Sequence, residues 1–157
     1  MQIREQVENC NGCGACAVGC KHSCIKMVAD ENGNKYPVSE ENENKYPVRD
    51  ENGCQKCNNC VLYCPIFNPV ELPEFDTFYD DSDNKYYNRD MPAVYRETMR
   101  SVKAGNVTDF VGTLCQIAAL KSLMGDKLHQ NLRLYPIICD PDHPRRPECK
   151  NCIFYKK

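Results

Sequence analysis

At 157 residues the chain has room for one ordinary domain or two small ones, with only a modest apolar core. Its 27% charged residues and mean hydropathy of -0.64 describe a soluble chain, and no apolar run approaches the roughly eighteen residues that a membrane span needs. The net charge of -2, with Lys and Arg scattered rather than clustered, leaves no footprint for nucleic acid.

The N-terminal run MQIREQVENC carries Glu5 and Glu8 and lacks the apolar stretch of a secretory signal, which implies a reducing, cytoplasmic setting. Thirteen cysteines then point to metal rather than to disulfides, since an odd number would leave one thiol over in a secreted scaffold. They fall into three groups, and the first two repeat each other. CNGCGACAVGC, from Cys10, and CQKCNNCVLYC, from Cys54, both read C-x2-C-x2-C-x3-C. Three cysteines on one tight loop can wrap a 4Fe-4S cube while Gly12 and Gly14 let backbone amides approach its sulfides. The fourth cysteine of each run lies on the following helix and faces the other cluster. Cys10, Cys13, Cys16 and Cys64 would therefore hold one cluster, and Cys54, Cys57, Cys60 and Cys20 the other. Zinc is the competing occupant, but two complete runs of four are more specific than the paired C-x2-C of a zinc ribbon. Cys24 is left over and reads as a small apolar residue packed near a cluster.

Between the two runs stands a tandem decapeptide, ENGNKYPVSE followed by ENENKYPVRD, which predicts an extended or hairpin-like excursion without chemistry of its own. After Cys64 the residues Glu71, Glu74, Asp76, Asp80, Asp81 and Asp83, with three prolines nearby, read as a solvated acidic linker over 69–83. Further on, Pro92 suits the first turn of a helix whose stripe of Val94, Tyr95, Met99 and Val102 runs until Gly105. NVTDFVGTL then reads as a strand, CQIAALKSLMGD as a helix and LRLYPIIC as a second strand, together one parallel βαβ unit. The expected fold is α+β: a ferredoxin-like double-cluster domain over 1–68, the linker, and a small α/β (βαβ) domain over 84–157.

Cys115 and Cys139 both fall at the carboxyl edge of that parallel pair, where open α/β sheets build ligand sites. RRPECKNC adds Cys149 and Cys152 as a C-x2-C pair. Four thiols thus become candidates for a third cluster, with zinc or idle core thiols as the alternatives.

The order of features resembles the coenzyme F420 hydrogenase/dehydrogenase β-subunit family in its ferredoxin-fused form: the cysteine repeat, NKYYNRDMPAVYRETMRSVKAGNVTDFVGTLCQIAALK, IICD and RPECKNCIF. The run from Gly112 to Ala118 is the sharpest match, although Leu114 stands where members usually have proline. The resemblance implies a cluster on cysteines like the last four, and a flavin. The chain lacks the Ser-Ser-Gly-Gly stretch associated with the flavin region and is shortened after IICD, so a flavin is not expected. The leading expectation is an iron-sulfur electron-transfer protein or subunit that serves a redox partner protein. The alternatives are a flavin-dependent oxidoreductase coupled to coenzyme F420 or a similar hydride carrier, and a zinc-stabilised binding module.

Overall fold

The computed structural model describes residues 10–29, 35–38, 57–83, 85–125, 129–140, 144, 149 and 152–154. Cys54 and the second decapeptide lie outside the described residues.

The described residues of the two cysteine runs fold alike where each helix begins: a left-handed residue, Gly14 (φ 84°) in the first and Asn58 (φ 61°) in the second, turns directly into a short helix. These helices are α1, Ala15–Gly19, and α2, Asn59–Leu62. A β-carbon built on Gly19 would lie 2.4 Å from Cδ2 of Tyr63, so the absence of a side chain there is what lets the two helices meet.

After α1 the chain runs into β1, Lys26–Ala29, which pairs antiparallel with β2, Lys35–Val38. The first KYPV unit of the decapeptide is therefore a strand in a hairpin. The second unit has no described structure.

The C-terminal part begins with α3, Met91–Lys103. Asp90 caps its first turn by accepting from the Ala93 N–H, and Pro92 needs no donor in that turn. Arg100 and Lys103 sit at its negative end. Next come β3, Thr108–Gly112, then α4, Leu114–Met124, then β4, Leu132–Pro136, with β3 and β4 parallel and Phe110 opposite Leu134. This is the βαβ crossover read from the apolar periodicity. Asp109 and Arg133, facing each other in register, form an exposed two-pronged ion pair at 2.6 and 3.2 Å.

One core joins the two ends of the chain. Cys13 and Ala15 from the first cysteine loop pack with Met91 and Tyr95 of α3, Phe110 of β3 and Ile117, Ala119 and Leu120 of α4. Tyr95 stacks on Phe110 with ring centroids 6.0 Å apart. The segment 69–83, expected as a solvated connection, is instead fastened at several points. Leu72 and Phe75 pack on the core, and Tyr79 exchanges backbone hydrogen bonds with Pro136 and Ile138 beside β4. Asp81 is 3% exposed and accepts from the Tyr86 and Tyr87 N–H groups at 2.9 to 3.2 Å. Its acidic neighbours Glu71, Glu74, Asp76, Asp80 and Asp83 do face solvent. The physical reason for the difference is the apolar content of the segment: Leu72 and Phe75 gain more by burial than the chain loses by being held. Among the described residues no helix is long and apolar enough to cross a membrane.

Candidate metal centre

The Cys10–Cys16 loop is shaped by backbone angles that a side chain would resist. Gly12 (φ 66°) and Gly14 (φ 84°) are both left-handed, and a β-carbon at Gly14 would touch Pro92 Cδ at 3.3 Å. Between them Cys13 donates its N–H to Asn11 Oδ1 at 3.1 Å, while its carbonyl accepts from the Tyr95 hydroxyl at 2.5 Å. Tyr95 is fully buried, so α3 holds the middle cysteine of the loop from behind.

Cys10 and Cys64 stand near enough to act on both Cys13 and Cys16. Burial pushes the Cys13 thiol well above its ordinary value, and Cys64, Cys115 and Cys10 push it further, against a pull down from the Ala15 N–H. Cys16 behaves alike, raised first by burial and then by Cys10, Cys13, Cys64 and Cys60. Burial also raises Cys64, with the Phe67 and Ile66 N–H groups opposing. Thiols so placed stay protonated until a metal displaces the protons, and thiolates are donors of the soft, anionic kind that iron-sulfur clusters take.

The second set is partly described. Cys60 is buried with Ala17, Cys24 and Ile25, Cys16 and Cys20 flank that cluster, and Cys57 is exposed. Cys20 is the C-cap of α1, and Cys64 stands two residues beyond α2, whose C-cap is Tyr63. The environment of Cys20 is rich in donors. Burial alone would raise the Cys20 thiol, yet hydrogen bonds from the Cys24 side chain and from the Cys24, His22 and Ser23 backbones hold it below its ordinary value. Cys24 belongs to that apolar cluster, and its Sγ also lies 3.1 Å from that of Cys20.

At the carboxyl edge of the parallel sheet, Thr113 caps α4 through a reciprocal box with Gln116, and its Oγ1 lies 3.0 Å from Cys115 Sγ. Cys115 shares a small apolar cluster with Ala118, Phe154 and Cys152. Cys152 in turn donates its N–H to the Cys149 carbonyl at 3.2 Å. Cys139 follows three residues after β4, with the chain held to β3 by the Ile137 N–H donating to Gly112. Among the described residues no three His, Cys, Asp or Glu side chains stand together as a site for a single metal ion.

Two buried polar residues of the first site are invisible to motif reading. Tyr95 reads as ordinary core from its helical spacing, and its hydroxyl bond to Cys13 depends on a contact 82 residues away. Asn11 looks like loop filler between two cysteines. It is 6% exposed, and its Nδ2 is the one buried side-chain polar atom among the described residues that lacks a hydrogen-bond partner. An orphaned donor inside a loop of thiols fits a group that brings acceptors of its own, as the sulfides of a cluster do.

No curated protein and no solved structure is matched by the chain. A family model does match residues 9–68, that of the 4Fe-4S dicluster domain; it ends before the C-terminal part, where the F420 β-subunit resemblance rests on sequence motifs alone. The N-terminal part of this chain is thus a 4Fe-4S dicluster ferredoxin domain, and it holds two 4Fe-4S clusters.

Proposed function

We propose that the chain is an electron carrier or redox subunit in which Cys10, Cys13, Cys16 and Cys64 hold the first cluster and Cys54, Cys57, Cys60 and Cys20 the second. The observation that carries this reading is that Cys10 and Cys64 act on both the Cys13 and the Cys16 thiols, three cysteines from one loop and the fourth from beyond the other helix. That is the crossed ligation expected when each run completes the site of its twin. When bound, each cluster takes up and gives back single electrons. The protein's part is to seat it: left-handed residues turn the loops, buried apolar neighbours keep water away, and backbone amides face the thiolates.

Cys115, Cys139, Cys149 and Cys152 are proposed as a third 4Fe-4S site. Support comes from Cys115 and Cys152 sharing one apolar cluster, and from Cys115 lying close enough to Cys13 for its charge to act there. Such a site would stand next in line to the first cluster and deliver electrons toward a redox partner protein.

Iron, acid-labile sulfide and zinc per chain after anaerobic purification, with an EPR spectrum of the dithionite-reduced protein, test the reading. About eight iron atoms means the two domain clusters alone, and about twelve adds the third. Zinc without iron would overturn the whole proposal.

A further inference from the structure

The loop of the first cluster contains a donor with nothing to donate to. Asn11 stands between Cys10 and Cys13, with its Oδ1 occupied by the Cys13 N–H at 3.1 Å, which fixes the opposite end of the amide as Nδ2. That nitrogen is buried and unpartnered. An unmet buried donor costs a large fraction of the stability of a small domain. The acceptor end of the side chain is used by the Cys13 N–H, and its donor end is left for a partner that the working protein supplies. The acceptors that the working protein adds to this loop are the sulfurs of its cluster. We propose that the Asn11 side-chain amide donates a hydrogen bond to the sulfur of the cluster held by the Cys10–Cys16 loop, and thereby raises the reduction potential of that cluster.

The direction follows from charge. Reduction adds an electron to a cluster that is already anionic, and a donor pointed at its sulfur stabilises the reduced form more than the oxidised one. The second run has Gln55 in the place of Asn11, one methylene longer and outside the described residues, and Lys56 in the place of Gly12. The two loops are therefore chemically unequal at the step where Asn11 acts. Burial is unequal too: the first loop is covered by Tyr95 and Pro92 of α3, whereas Cys57 of the second is exposed.

This inference rests on the proposed ligand set for the first cluster. The experiment is a potentiometric EPR titration of the full chain and of Asn11→Leu, with iron counted in both. The expected result is that one of the two domain waves moves to more negative potential while the other stays, at unchanged iron content. Asn11→Asp keeps the acceptor for Cys13 and exchanges the donor for a negative charge; the same wave should move in the same direction. Both waves unmoved with iron retained, or both moved together, would overturn the proposal, and a bound water as the partner of Nδ2 predicts the first of these. If either variant drops iron, the unaltered chain decides. With asparagine carrying the heavy nitrogen isotope at its side-chain amide, pulsed EPR of the reduced cluster should show coupling to that nitrogen, and no coupling would refute the bond. A parent protein without iron would instead be a failure of the ligand reading.

Discussion

Gly14 and Asn58 occupy the same step of the two cysteine runs, one residue beyond the second cysteine, and both take the left-handed conformation that lets the loop turn into a helix. Glycine adopts it without strain and asparagine tolerates it, whereas other side chains pay roughly 1–2 kcal/mol. Asn58→Gly is expected to leave the thermal unfolding midpoint of the cluster-loaded protein nearly unchanged. Asn58→Ala should lower its stability by roughly 1 kcal/mol. Loss of cluster absorbance on heating reads both. Glycine is the stricter need at position 14, because a β-carbon there also meets Pro92 at 3.3 Å. Of these features Gly14 is legible in the sequence and Asn58 is not, since an asparagine in a polar loop carries no sign of its φ angle. The same holds for Asn11, whose significance lies in being buried without a partner for its nitrogen.

Among the elements, α4 shows most directly how local sequence serves a site. Thr113 and Gln116 cap each other, and Gln116 Nε2 also donates to the Tyr87 carbonyl at 3.1 Å, tying the helix start to the segment that Asp81 organises. A β-carbon on Gly112 would come within 2.9 Å of both Gln116 Oε1 and Phe110, so glycine is required for the box to close. Replacing Gln116 by Ala removes the reciprocal cap and the bond to Tyr87; the urea midpoint should fall by the equivalent of roughly 2 kcal/mol with an unchanged slope. An unchanged midpoint would mean that the box adds nothing to the fold. The strand-helix-strand periodicity is a local pattern, which is why this unit could be read in advance. The acidic segment could not be read so well. Asp81 differs from Asp80 and Asp83 only in where the Tyr86 and Tyr87 N–H groups end up, and composition does not carry that information.

For the whole molecule, the buried thiols set a dependence on pH. Burial raises Cys13, Cys16 and Cys64 in the folded chain, and raises the Tyr95 phenol as well. Without metal, the unfolded chain loses these protons first as pH rises, so their contribution is complete below the ordinary thiol range and is lost on climbing through the folded values. Cys20, held below its ordinary value, acts in the opposite sense and blunts the fall. The metal-free protein should therefore lose melting temperature steadily above about pH 8.5, whereas the cluster-loaded protein, its ligands already deprotonated, should not. Equal pH profiles for the two forms would contradict the placement of these thiols as ligands. What the sequence determined by itself was the chemistry and the local units: the twin cysteine runs, the soft donor set and the βαβ crossover, all written in spacings of a few residues. Tertiary structure alone decided that the first cysteine loop and the C-terminal helices share one core, that the acidic segment is fastened to it, and that Tyr95 and Asn11 address the first site. These depend on which distant surfaces meet, and burial, the property that turns a loop asparagine into an obligatory donor, exists only once they have met.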